Sequence, residues 1–159
     1  MICLRIQLKS LPINQDRMKR DKRSPIPQSA TVSKRMGLIK GTGNKLETSF
    51  RKLLYKKGAR GYKVNFASLP GKPDIAFLKK KKVVFIHGCF WHGCEVCGRR
   101  IPKYNTGFWH AKIYKTIERD QKNLVELQKL GFQVLEIWEH EIKNDLNSMI
   151  IKTMGFLKV

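Results

Sequence analysis

This 159-residue sequence predicts a mixed α/β fold, on three observations. Two β-rich runs, DIAFL from Asp74 and VVFIH from Val83, flank the lysine tetrad Lys79 to Lys82 as the arms of a hairpin would. A long amphipathic stretch, Phe108 to Leu130, follows and is closed by Gly131. A third strand pattern, FQVLEIW, comes directly after it, which makes the helix a crossover between strands of one sheet.

The remaining elements follow in chain order. Residues 1 to 40 mix basic residues with turn formers (KRDKRSPIPQSATVSKR) and have no sustained period, so they read as a mobile basic arm able to track a phosphate backbone. Met18 offers an alternative start, which leaves residues 1 to 17 either as an extension or as sequence ahead of the true start. From Asn44 to Lys57, Leu46, Phe50, Leu53 and Leu54 recur at helical spacing and Gly58 is a natural stop. A short strand is expected around Tyr62 to Asn65, then the loop SLPGKP ahead of the hairpin. A basic loop, Arg99 to Asn105, precedes the long helix, and a last helix starts near Leu146.

Length and a hydrophobic content of 42% suit one domain with a real core. The charge is far from ordinary. Thirty-three Lys and Arg against twelve Asp and Glu give a formal net charge of +21, which points to a polyanion such as DNA or RNA as partner. The longest apolar run, VVFIHGCFW, is about half the ~20 residues that span a bilayer, so no membrane role and a cytoplasmic location are expected. Three of the four cysteines are clustered, which suits a metal site in a reducing compartment better than disulfides.

Carboxylates are scarce, and each needs a reason. Only Glu47 and Asp74 occur between Asp21 and Glu95. Asp74, at the start of a strand beside a basic loop, is placed to hold Mg²⁺ against a phosphate, or else to make an Asx turn or surface ion pair. Glu47 either caps its helix with Asn44 or turns from the edge of the buried stripe towards the sheet. Asp120 projects onto the apolar face that Ile113, Ile117, Leu124 and Leu127 define on the long helix. A carboxylate there needs a partner, either a histidine whose tautomer it would fix or a cation such as Arg119.

The stretch HGCFWHGCEVC, His87 to Cys97, holds the densest chemistry. Cys89, Cys94 and Cys97 supply three thiolates, and His140, at the end of the neighbouring strand, would complete a closed Cys3His structural zinc site. His92 or His110 as fourth ligand, and reduced cysteines without metal, are the alternatives. Phe90 and Trp91 lie between Cys89 and His92 and read either as a wedge that enters a base stack or as core.

SLPGKPD, VFIHGCFWHGC, NTGFW, IERD and LEIWEHE together resemble the very short patch repair endonucleases, which nick DNA at T:G mismatches; the likeness runs from about Ser33 to Glu141. It implies a type II restriction endonuclease-like (PD-(D/E)xK-type) core with one structural zinc and two catalytic Mg²⁺ ions. On this basis residues 1–32 form the arm and 33–159 a single nuclease domain. The resemblance further implies that Asp74 and the backbone carbonyl of Ile86 face Mg²⁺, and that His92, oriented by Asp120, is the general base. Glu47 and His87 would support water and the phosphate. Phe90 and Trp91 would intercalate at the mismatch, Met36 would wedge from the other groove, and Lys72 would contact DNA.

The pattern is not followed throughout. Cys94 stands where the family often has His, Cys97 lies one residue later than usual, and His140 stands where Cys is frequent; the count of four ligands survives. Thr116 replaces a usual Asn, and Ile86 a common Thr. Double-stranded DNA with a T:G mismatch is the expected partner, helper repair proteins are conceivable additions, and a monomer suffices for cutting one strand. A same-fold nuclease with another DNA substrate and a non-catalytic zinc-stabilised DNA-binding module are the competing readings.

Overall fold

A computed structural model describes residues 29–38, 45–98 and 101–158. Four strands, β1 (Lys63–Val64), β2 (Ile75–Phe77), β3 (Lys82–His87) and β4 (Gln133–Trp138), form one sheet in the order β1-β2-β3-β4. β1, β2 and β3 pair antiparallel, and β3 pairs parallel to β4. The hairpin and crossover expected from sequence are both present, the crossover being helix α3 (Thr106–Lys129).

Strand alternation sorts the core into two layers. Ile75, Phe77, Val84, Ile86 and Ile137 face one side, where they meet Phe50 and Leu54 of α2 (Lys45–Lys56), Ile142 of α4 (Glu139–Asn144) and Ile150 and Leu157 of α5 (Leu146–Lys158). Ala76, Val83, Phe85 and Val134 face the other side and pack with Leu127 of α3 and Phe132. Nine of these side chains, all apolar, are essentially inaccessible to solvent, and each contributes about 1.5–3 kcal/mol on burial if large. Among the described residues no helix is long and apolar enough to cross a membrane.

Three local features differ from the sequence expectation. A helix, α1 (Ala30–Gly37), lies in the stretch read as structureless; the Ser29 hydroxyl accepts the Val32 N–H at 3.3 Å, and two turns are too short to display a period. The lysine tetrad is not a simple exposed turn. Leu78–Lys80 form a 3-10 turn, Lys81 takes a left-handed conformation, and Lys82 opens β3 with only 4% of its surface exposed. Lys80 Nζ donates to Leu157 O at 2.8 Å and Lys82 Nζ to Phe156 O at 2.7 Å, so both ammoniums serve the carbonyl end of α5, where the helix dipole favours cations. Helix α4, only six residues long, was the third omission. The arm before Ser29, the Asn44 cap and Arg99 at the start of the basic loop lie outside the described residues.

Candidate active site and metal centre

The sheet register gathers the site at one end of the central strands. Ile75 pairs with Val84, so Asp74, one residue before β2, falls beside the end of β3, and its Oδ2 accepts the Ile86 N–H at 2.7 Å. β3 and β4 run parallel with His87 opposite Trp138, so the loop after β3 and the start of α4 emerge together. Glu47 is buried on α2, ion-paired with Arg51 at 3.6 Å. Burial, reinforced by the negative charge of Glu47, pushes the Asp74 carboxyl above its ordinary range, against the opposing pull of the Ile86 N–H, His87 and Arg51. The buried Glu47 and the half-buried Asp74, close enough for the charge of one to act on the other, make a hard-oxygen pair that fits Mg²⁺. Ile86 engages Asp74 through its N–H.

His92 and Asp120 are in contact. His92 Nδ1 lies 2.6 Å from Asp120 Oδ2, and Arg119 Nη2 donates to the other oxygen at 3.1 Å, so the histidine and the arginine are both partners of this carboxylate. Burial pushes the Asp120 carboxyl up, but the hydrogen bonds of His92 and Arg119, with the charges of His92 and His87, outweigh it and hold it below the usual range. An ionised carboxylate only accepts, so neutral His92 carries its proton on Nδ1 and keeps a lone pair on Nε2. The rings of His87 and His92 stand 4.3 Å apart, and His87 Nε2 lies 2.9 Å from Glu136 on β4.

The loop between β3 and α3 is held from two sides. Gly93 has φ +64°, and a Cβ there would come within 2.8 Å of Ile117 Cδ1, so the backbone sits directly on α3 only because it lacks a side chain. On the opposite side, the Cys89 N–H donates to Glu139 Oε2 at 3.2 Å. The Lys143 ammonium, 2.5 Å from Glu139, holds that carboxyl below its usual range despite partial burial. Gly71 in SLPGKP makes a comparable close approach, to Asn123 of α3, with φ +72°. Lys72, next to it, is exposed.

Cys89, Cys94, Cys97 and His140 bring four donor atoms within 4.8 Å of one another. His140 Nδ1 is 3.3 Å from Cys89 Sγ and 3.4 Å from Cys94 Sγ, close to the ~3.6 Å between sulfur and nitrogen ligands on one tetrahedral zinc. Burial, with the neighbouring Cys97 and Cys94 thiols, pushes Cys89 up to about 12. Crowded thiolates are unfavourable on their own, and a soft divalent cation is what such a set accommodates. His110 is exposed on α3 and His92 is committed to Asp120, so neither belongs to this group.

Phe90 and Trp91 are half-buried, between the two alternatives of wedge and core. They stack edge-on at 5.0 Å and both meet Trp109 of α3, at 5.5 and 5.9 Å. Lys112 Nζ stands 5.5 Å from the Trp91 ring and 5.7 Å from that of Trp109. Trp109 and Lys112 are members of this cluster that sequence reasoning passed over, although FW in NTGFW at the start of a basic helix was a usable signal. Glu136 was also passed over; a lone carboxylate between Val134 and Trp138 on one face of a half-buried strand was its signal. Thr116 back-bonds to Lys112 O at 3.0 Å, and Met36 lies in α1 with its side chain outside what is described.

Comparison with known proteins identifies the family. Residues 24–98 match the family model for the DNA mismatch endonuclease Vsr. A type II nicking enzyme of Neisseria meningitidis, V.NmeAIP, is 50% identical over 117 residues, 72% of this chain and 83% of that protein. V.NaeI, a type II nicking enzyme of Lentzea aerocolonigenes, is 37% identical over 139 residues, 84% of this chain and 82% of the relative. The DNA mismatch endonuclease Vsr of Escherichia coli is 39% identical over 114 residues, 72% of each. Likeness of this extent, together with an α/β core that brings Asp74, His87, His92 and Asp120 to one sheet end, places the chain in the Vsr family of DNA endonucleases.

Proposed function

We propose that this protein nicks one strand of duplex DNA at a T:G mismatch, the first step of a very short patch repair. The single observation that carries the reading is the 2.6 Å contact between His92 and Asp120 at the sheet end that also holds the half-buried Asp74. Hydrolysis of a phosphodiester needs a base for the attacking water, and His92, with Nδ1 committed to Asp120, offers Nε2 for that proton. Asp74, Glu47 and the Ile86 carbonyl would hold Mg²⁺, which when bound supplies charge compensation at the phosphate. Cys89, Cys94, Cys97 and His140 would hold a structural zinc that pins the loop carrying His92. Phe90, Trp91 and the Trp109 edge form an aromatic platform topped by Lys112, suited to stacking on a disrupted base pair next to a phosphate. The net charge of +21, with Lys72 in the loop before Asp74 and Met36 in α1, supports engagement of the duplex. A single polypeptide with one such site is consistent with a monomer that cuts one strand, and residues 33–159 would make up the nuclease domain.

A second reading is favoured by the names of two of the relatives above, which are type II nicking enzymes: the same catalytic residues cutting at a DNA sequence in a matched duplex. One assay separates the two. The zinc-loaded protein is incubated with Mg²⁺ and labelled duplexes carrying T:G, other mismatches or none, alongside Asp74→Ala. A nick confined to the thymine strand of T:G supports mismatch repair, and mismatch-independent nicking supports the second reading. Binding without any nick would remove both.

A further inference from the structure

We propose that Glu136 is a positioning residue for His87, fixing its proton on Nε2 so that Nδ1 works as a hydrogen-bond acceptor in the site. The proposal deepens the reading above and rests on it for the role of His87. His87 is 5% exposed, and its ring is boxed by Phe85, stacked at 5.8 Å and nearly coplanar in orientation, by Trp138 at 5.3 Å and by His92 at 4.3 Å. Ring neighbours restrict the plane of an imidazole but leave open which nitrogen carries the hydrogen. That choice falls to a polar partner, and Glu136 Oε1 lies 2.9 Å from Nε2.

The register explains why this carboxylate is there. Phe85 is opposite Glu136 in the parallel β3–β4 pair, so Phe85, His87, Glu136 and Trp138 project from the same face of the sheet, and Glu136 reaches diagonally to His87. A small pocket between β3, β4 and α3 is lined by Phe85, His87, Asp120, Asn123, Leu124 and Glu136, so the carboxylates that hold the two histidines border one space. The side chain of Glu136 is one-third exposed, and an ionised carboxylate there can only accept. Neutral His87 therefore keeps Nε2–H and a lone pair on Nδ1.

The two imidazoles of the site are thus set in opposite tautomers by two different carboxylates. Asp120 from α3 leaves His92 with Nε2 free to take a proton, and Glu136 from β4 leaves His87 with Nδ1 free to accept a hydrogen bond. Of the two roles open to His87, holding water and donating to the phosphate, this arrangement selects the first, because a lone pair can receive an O–H and cannot bond a phosphate oxygen.

The test is Glu136→Gln in the full, zinc-loaded chain, since an amide can donate to Nε2 and release the constraint at nearly constant volume. ¹⁵N-histidine spectra at pH 8, with the His87 signals identified by their loss in His87→Asn, are expected to show Nε2–H in the parent protein. In Glu136→Gln they should move towards Nδ1–H. Nicking of the T:G duplex should fall about tenfold or more in kcat, with KM within about twofold, as expected for a group that acts after binding. A purely structural Glu136 would lower the melting temperature while leaving tautomer and kcat in place, and that result would overturn the proposal. So would Nδ1–H on His87 in the parent protein, a readout that survives if Glu136→Gln does not fold. If the parent protein cuts no duplex, the functional reading fails by itself, and the parent spectrum still decides the part played by Glu136.

Discussion

His92 on the loop after β3 and Asp120 in the middle of α3 approach to 2.6 Å, across 28 residues of sequence. Asp120 occupies the apolar face of its helix because its partner arrives on the loop that leaves β3, and Arg119 takes the second oxygen from the solvent side. Asp120→Asn is expected to lower kcat by about 10²- to 10⁴-fold with little change in duplex affinity, because an amide also tolerates the wrong imidazole tautomer. Stability has a definite sign. The Asp120 carboxyl is held low in the folded protein, so its stabilising contribution is complete above the unfolded Asp value and disappears as pH falls through the folded one. Asp120→Asn should therefore melt lower than the parent at pH 7 and converge with it in strong acid. Across pH 5 to 8 the carboxylate, held below its usual range, stays ionised and keeps its hold on His92 Nδ1.

Asp74 has the opposite sign. Burial and the charge of Glu47 raise its carboxyl, so the ionised form is disfavoured in the fold, and stability is withdrawn as pH rises from the unfolded Asp value through the folded one. Asp74→Asn keeps an acceptor for the Ile86 N–H and removes that repulsion. Without added Mg²⁺ it should melt about 2–4 °C above the parent at pH 8 and lose the advantage near pH 3, while Mg²⁺-dependent nicking disappears. A variant that melted lower at pH 8 would show that Asp74 is a structural carboxylate.

These two carboxylates also show what a sequence can disclose about a site. Asp120 was legible because a charge on a helical apolar stripe is an anomaly with a fixed angle, and the angle alone demanded a partner. His140 was legible from strand order, since a residue just past FQVLEIW has to meet the end of VVFIH if the strands are neighbours. Glu136 needed the register itself. A shift of one residue along β4 would turn it to the other face, and periodicity does not set the pairing of two parallel strands. The buried Lys82 was missed for a related reason: four consecutive lysines look alike until α5 is in place to offer its terminal carbonyls to two of them. Short helices α1 and α4 were invisible because two turns cannot establish a 3.6-residue period.

Cys94 is the innermost of the three thiols, 2% exposed, and its sulfur lies 3.4 Å from His140 Nδ1. Cys94→Ser exchanges a soft ligand for a poor one in a place where a lone hydroxyl has little solvent. Metal analysis should give one zinc per chain for the parent and well under half for the variant, with a loss of about 3 kcal/mol or more in stability. Prolonged chelation of the parent should reproduce the variant's melting curve. A variant that still carried one full zinc would show that the ligand set is different.

Gly93 links the loop that carries the cysteines to His92, the general base proposed above. It follows His92, precedes Cys94, holds φ at +64° and lies against Ile113 and Ile117 of α3, where an added Cβ would approach Ile117 Cδ1 to 2.8 Å. Gly93→Ala therefore combines an unfavourable left-handed backbone with overpacking against a buried isoleucine, about 2–4 kcal/mol together. A turn of the Ile117 Cδ1 end relieves part of the clash, and what remains lifts the loop from α3, which separates His92 from Asp120 while leaving the cysteines joined to one another. Zinc content should accordingly stay near that of the parent, while kcat falls with the His92–Asp120 contact and the melting temperature drops. Ile117→Val in the Gly93→Ala background removes the nearest methyl group and should recover part of both losses. If it recovered stability alone, the tie between loop height and the general base would be broken.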